Sequence, residues 1–302
     1  MGKGGSGKTT ISSAFVKYLS EKDFVLAVDA DVNVHMHKTL DMCKNDISKY
    51  ESEIFNYFEG YRNVPILSTT PPTSKSRFIK ISKTDKFLKK YATFKNNIAL
   101  LTVGTYEESD LGSSCYHGKL GVIESIFHHM LDSKNQYVVS DFTAGTDSLG
   151  TSMFIISDLN IFVVEPTLKS IDVYRDFIEK SKNEGIKTYV VLNKITDDED
   201  INFCHSHIEK ERIIGEVHTS KELRSFERGN LNEFDLFVRN NKQLFAKIKT
   251  VLDKQERNWD DYYQKVVKIF NQSCQTWYND FYSKKINENI DTNFSYEKQF
   301  TK

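Results

Sequence analysis

The chain has 302 residues, enough for one large α/β domain or two small ones. Its 41 basic and 42 acidic residues leave a net charge of −1, so no global field recruits nucleic acid or a membrane surface. No apolar run approaches the ~20 residues of a spanning helix. The four cysteines (Cys43, Cys115, Cys204 and Cys274) are dispersed without a C-x-x-C pair, which excludes a disulfide framework and fits a reduced, cytoplasmic compartment.

The first element is a loop. Gly2, Lys3, Gly4, Gly5, Ser6, Gly7, Lys8, Thr9 and Thr10 fit the frame G-x-x-x-x-G-K-[ST] of a phosphate-binding loop. Glycines let backbone approach phosphate without an obstructing Cβ, and successive N–H groups form an anion nest. Apolar residues at 11, 14, 15, 18 and 19 predict a helix whose N-terminus adds positive charge beneath the loop. Lys8 is expected to reach the β- and γ-phosphates of ATP, and the Thr9 hydroxyl to bind Mg2+. A loop starting at residue 2 is expected to exclude a signal peptide. Such loops follow a buried strand of about six apolar residues. Only Met1 stands ahead of Gly2, so a late gene start is expected, with Met1 the last residue of an otherwise missing N-terminal strand.

Lys3 narrows the field. The run K-G-G-x-G-K-T-T resembles the deviant phosphate loop of the septum-site, plasmid-partition and nitrogenase iron-protein superfamily of ATPases. The resemblance covers roughly residues 2–253. It implies a doubly wound α/β fold with a mostly parallel sheet and helices on both faces. It also implies a homodimer that sandwiches ATP, in which Lys3 reaches the partner's nucleotide.

The later elements follow that pattern. Phe24–Val28 predicts a buried strand ending in Asp29-Ala30-Asp31, at the strand end where open α/β sheets bind ligands. These acids resemble the family's first switch. That resemblance gives Asp31 the attacking water and leaves Asp29 to support Mg2+ or the loop. His35 and His37 read as ordinary polar positions. The eight basic residues from Lys75 to Lys95, against Asp85 alone, read as a solvated face. A nucleic-acid patch is the other reading of that stretch.

Ile98–Val103 is the next strand. Beyond it, Gly112-Ser-Ser-Cys115-Tyr-His117-Gly118 resembles a G-x-G-C-x-C segment of the nickel-insertion ATPases that serve carbon monoxide dehydrogenase, with His117 in place of the second cysteine. A Cys/His pair suits Zn2+ or Ni2+, and two copies would complete an S2N2 set at the dimer interface. His128 and His129, in the helix pattern that follows, are expected on the helix surface.

Tyr137–Ser140 leads to Asp141, then Phe142-Thr-Ala-Gly145. This matches the family's second switch, in which Asp141 holds Mg2+ through water and Gly145 brings an N–H to the γ-phosphate. A strand with its loop is predicted over 160–167, and further strands at 187–192 and 213–217. Asn193 closes the strand at 187–192, where the family binds adenine. An amide there offers a base edge both a donor and an acceptor.

After residue 253 the character changes. Trp259, Tyr262, Tyr263, Val266, Phe270, Cys274, Trp277 and Phe281 recur at three- and four-residue steps, one face of an amphipathic helix. A P-loop ATPase domain over 1–253 and a helical extension over 254–302 are therefore expected, with disorder beyond about 287. The extension is expected to pack on the domain or a partner. A membrane-surface anchor like that of the septum-site ATPase is the weaker alternative.

Function divides at the client. An Mg-dependent ATPase switch could mature a metallocentre in a client enzyme. It could instead position DNA or a membrane-bound complex, or serve as a non-catalytic, nucleotide-dependent scaffold. Retention of Asp31 and Asp141 weighs against the last.

Overall fold

The computed structural model describes residues 1–58, 67–106, 116–143, 149–277 and 290–301. From the loop rises α1 (Lys8–Ser20), followed by β1 (Phe24–Ala30), α2 (Met36–Thr39) and α3 (Glu51–Phe58). Then come β2 (Ile79–Lys80), α4 (Lys86–Tyr91), β3 (Thr93–Lys95) and β4 (Ile98–Thr102). The middle of the chain holds α5 (Tyr116–His128), β5 (Met130–Leu131), β6 (Gln136–Phe142) and α6 (Met153–Ile156). The last sheet segment is β7 (Asn160–Val164), α7 (Leu168–Ser181), β8 (Thr188–Ile195), α8 (Asp198–His205) and β9 (Ile213–His218). Four α-helices follow: α9 (Lys221–Glu227), α10 (Glu233–Asn240), α11 (Lys242–Leu252) and α12 (Trp259–Trp277).

The apolar runs become parallel strands because helices cover both faces, so neither face needs polar alternation. β1 is buried from Val25 to Ala30 and pairs in parallel with β4 on one side and β6 on the other. The order is β3-β4-β1-β6, with β3 antiparallel at the edge, and β7-β8-β9 forms a second parallel group. The doubly wound α/β architecture is therefore present. In the lysine-rich stretch, Phe87, Leu88 and Tyr91 of α4 face the core while Lys83, Lys86, Lys89 and Lys90 are exposed.

Met1 and Gly2 tie the start of the loop to β7. The Val163 N–H donates to the Met1 carbonyl at 2.8 Å, the Met1 nitrogen donates to the Ile161 carbonyl at 2.8 Å, and Gly2 bridges Val163 in parallel. Upstream of this stub the facing edges of β6 and β7 are separated by a cavity of about 960 Å3, lined by Tyr137, Val139, Ile161 and Val163 among others. A strand leading into Gly2 would run through that space.

Two expectations need correction. His128 and His129 are not on a helix surface, because both are fully buried. Every residue from Leu120 to Leu131 is buried, so this part of α5 has no solvent face to present. The Phe58 ring stacks on His129 with centroids 4.1 Å apart, and burial pushes both imidazoles down to about 3, which keeps them neutral. The second correction is at the C-terminus, where residues 290–301 fold back instead of trailing away. Phe294 and Tyr296 are buried, and the Tyr296 hydroxyl donates to the His128 carbonyl at 2.7 Å.

The periodic face of α12 lies against this layer. Tyr262, Tyr263, Val266, Phe270 and Cys274 are buried; Phe281 lies outside the described residues. Ahead of the helix, Arg257 bridges Asp132 at 2.5 Å and Asp158 at 2.9 and 2.5 Å. Such shared, largely buried charge pairs fix one orientation more than they add stability.

Candidate nucleotide site

The loop's geometry follows from its glycines. Gly2 has φ +140°, and a Cβ there would sit 2.4 Å from the Val163 carbonyl oxygen. Gly7 has φ +94°, and a Cβ there would meet the Asn193 amide nitrogen at 2.3 Å. Only glycine tolerates both the sign of φ and the closeness. The Ser6 N–H donates to the Lys3 carbonyl at 3.1 Å, which closes the turn. Gly7 then caps α1 in a left-handed conformation, so the first free N–H groups of that helix face the loop. Lys8 is 8% exposed and Thr10 half-buried in the first turn of α1. The Ser6 hydroxyl is buried without a hydrogen-bond partner. Gly4 and Gly5 are exposed at the crest.

Acids arrive from the neighbouring strand ends. The Thr9 hydroxyl donates to Asp141 Oδ2 at 2.5 Å. Burial pushes the Asp141 carboxyl up, and the Thr9 hydrogen bond opposes that shift. On β1, Asp29 is fully buried and accepts the Met36 N–H at 2.8 Å, so it anchors the loop after β1. Burial and then the nearby Asp141 charge raise its pKa to about 7. Asp31 is 7% exposed, and its Oδ1 accepts from the Asn33 backbone and side-chain nitrogens, both at 2.9 Å.

From β8, the Asn193 amide nitrogen donates to the Ser6 carbonyl at 2.7 Å and is buried there. Asn193 therefore braces the loop, a contact that its expected place beside a base did not anticipate. The sequence reading also missed Glu165 and Lys194. The Lys194 ammonium donates to the Gly5 carbonyl at 2.7 Å and to Glu165 Oε1 at 2.5 Å. Glu165 Oε2 accepts from Lys3 at 3.2 Å. Their signal was positional: both sit at the C-terminal ends of parallel strands, where ligand-facing side chains collect.

The cradle fits a polyphosphate and Mg2+. Its glycines leave room where a Cβ would clash, an unpartnered hydroxyl lies in its wall, and its oxygen donors are a hydroxyl and a carboxylate, the hard ligands Mg2+ takes. Among the described residues, no three His, Cys, Asp or Glu side chains gather as a metal-ligand set. Cys115 and Gly145 lie outside the described residues, as does the side chain of His117.

A glycine-rich loop joining a β-stub to a helix, with acids on adjacent parallel strands, defines a P-loop nucleotide-binding protein. The chain belongs to the family described as CobQ/CobB/MinD/ParA nucleotide binding domain, which it matches over residues 1–232. One relative is the uncharacterized ATP-binding protein MJ0084 of Methanocaldococcus jannaschii, 26% identical over 226 residues, 74% of this chain and 87% of that protein. Another is the carbon monoxide dehydrogenase accessory protein CooC of Rhodospirillum rubrum, 23% identical over 246 residues, 78% of this chain and 88% of that one. The fold is similar to the ParA family ATPase of Chlorobium tepidum TLS, with a TM-score of 0.52, 17% identity, and coverage of 83% of this chain and 93% of that one. It is also similar to a chain of the MinC:MinD cell division protein complex of Aquifex aeolicus, with a TM-score of 0.51, 19% identity, and coverage of 85% of this chain and 95% of that one. Among the described residues, no helix is long and apolar enough to cross a membrane.

Proposed function

We propose that this protein is an Mg-dependent ATPase that works as a dimeric switch, with ATP held between two copies of the domain. The observation carrying this reading is the Thr9–Asp141 contact directly under a loop that bears Lys3. It brings the two Mg2+-handling groups together beside a lysine with no duty in an ordinary phosphate loop. Lys8 and the N–H groups of residues 4–8 hold phosphate oxygens. Thr9 and Asp141 hold Mg2+, which supplies charge neutralisation at the β- and γ-phosphates. Asp31 orients a water, the Gly145 N–H approaches the γ-phosphate, and Asn193 frames the base while bracing Ser6. Lys3 stabilises charge on the partner copy's nucleotide. Hydrolysis then reopens the dimer, so ATP sets the lifetime of one conformation.

For the client we propose a metalloenzyme. The resemblance of the Cys115–His117 segment to the nickel-insertion ATPases supports this, as does the likeness to a protein named as a carbon monoxide dehydrogenase accessory. In this reading Cys115 and His117 of two copies share one Zn2+ or Ni2+.

Sedimentation with ATP and Mg2+, alongside phosphate release, tests the switch. A chain that binds ATP but stays monomeric and releases no phosphate would refute it. Metal content of the ATP-bound dimer tests the client. One ion per dimer in the wild type and none in Cys115→Ala is the expected result. An equal content in both would remove these residues from metal binding.

A further inference from the structure

Lys3 is not free in this structure. Its ammonium lies 3.2 Å from Glu165 Oε2 and 3.4 Å from the Gly4 carbonyl, folded back on its own loop. Glu165 stands at the end of β7 with its side chain 12% exposed. Its backbone N–H donates to the Ser170 hydroxyl at 3.0 Å, which fixes where the carboxylate points. The other carboxylate oxygen is occupied by Lys194, whose φ of +62° is unusual for a side-chain-bearing residue. That strained backbone bends β8 so that Lys194 spans from Glu165 to the Gly5 carbonyl. One carboxylate thus holds two lysines, and through them both shoulders of the loop.

We propose that Glu165 is a positioning residue that latches Lys3 within its own protomer, so that the dimer forms only when nucleotide outcompetes this ion pair. The inference rests on the dimeric-switch reading above. A lysine cannot stay in hydrogen-bond contact with Glu165 of its own chain and also reach a phosphate of the other copy. Glu165 is 12% exposed and Lys3 32%, so breaking the pair has a modest cost, and the triphosphate repays that cost with more negative charge than the single carboxylate. A diphosphate offers less, which makes the latch a discriminator between the two nucleotides. Lys194 tunes the latch, because it competes with Lys3 for the same carboxylate.

The test is the concentration of a non-hydrolysable ATP analogue that gives half-maximal dimer, measured by sedimentation with Mg2+. Glu165→Gln should lower it about 2- to 5-fold, the scale of one partly exposed ion pair. In a Lys3→Ala background the same substitution should have no effect, which a merely structural role for Glu165 would not produce. Lys194→Met should move the threshold the other way, since Glu165 then holds Lys3 alone; this arm remains should Glu165→Gln fail to fold. The latch is overturned if Glu165→Gln leaves the threshold unchanged or raises it. It is equally overturned if its shift persists without Lys3, or if Lys194→Met lowers the threshold. A wild type that never dimerises with the analogue refutes the switch reading and takes the latch with it. A wild type that dimerises while the variants do not shift refutes the latch alone.

Discussion

Asp29 and Asp141 are register partners on adjacent parallel strands, two buried carboxylates side by side at the carboxyl edge of the sheet. Burial, and then the Asp141 charge, raises the Asp29 pKa to about 7. The folded protein therefore holds a proton at Asp29 that the unfolded chain releases. Stability from this group is complete below about pH 4 and is lost as pH rises through about 7. Asp29→Asn removes the titration. Without nucleotide, the variant should gain on the wild type between pH 5 and 8, by on the order of 2–4 kcal/mol. Urea melts across that range check it, and parallel wild-type and variant profiles would remove Asp29 as the titrating group.

Thr9→Val keeps side-chain volume and deletes the hydroxyl that donates to Asp141. The buried carboxylate then lacks a donor, at about 1–3 kcal/mol of stability. Mg-dependent ATP turnover should fall at least ~100-fold, the scale of losing a metal-held charge interaction. Turnover within a factor of a few of wild type would mean that Mg2+ is held elsewhere.

Lys3 and Asp31 are proposed to serve one phosphate from opposite copies. Mixing Lys3→Ala with Asp31→Ala protomers should restore up to half of the wild-type sites, because one composite site then keeps both groups. Verified heterodimers with no recovered activity would assign Lys3 to its own chain.

The space between β6 and β7 is bounded by two facing strand edges and apolar side chains, Val139 and Ile161 among them. An extension of five apolar, β-branched residues ahead of Met1 should enter it in the register set by Met1 and Ile161. Pairing on both sides should raise the melting temperature by about 5 °C or more, since ~1 kcal/mol shifts a domain of this size by a few degrees. An unchanged melting temperature, with the added amides open to hydrogen exchange, would show that the space does not admit a strand.

Much of the site was legible because it is local. The loop, its helix and the acids at Asp29, Asp31 and Asp141 each announce themselves within ten residues, through steric and charge requirements that few residue types meet. What was not legible depends on pairing at a distance. Glu165 meets Lys3 across 162 residues of chain, and nothing in either neighbourhood marks the match. His128 and His129 were misjudged because helical periodicity reports one buried face and cannot see a second layer. That layer comes from Tyr296 and Phe294, aromatic residues in a segment without period, where the spacing argument is silent.

The docking of Tyr296 on the carbonyl of His128 also bears on when this protein can become itself. During synthesis the loop, α1 and the first strands emerge early, yet the layer over α5 is closed by Tyr296, 168 residues after His128. Until the Tyr296 segment emerges, the aromatic faces of Phe78 and Tyr262 lack its cover. The nascent chain should therefore be open to chaperones that read exposed aromatics, and its folding should finish only once that segment has emerged.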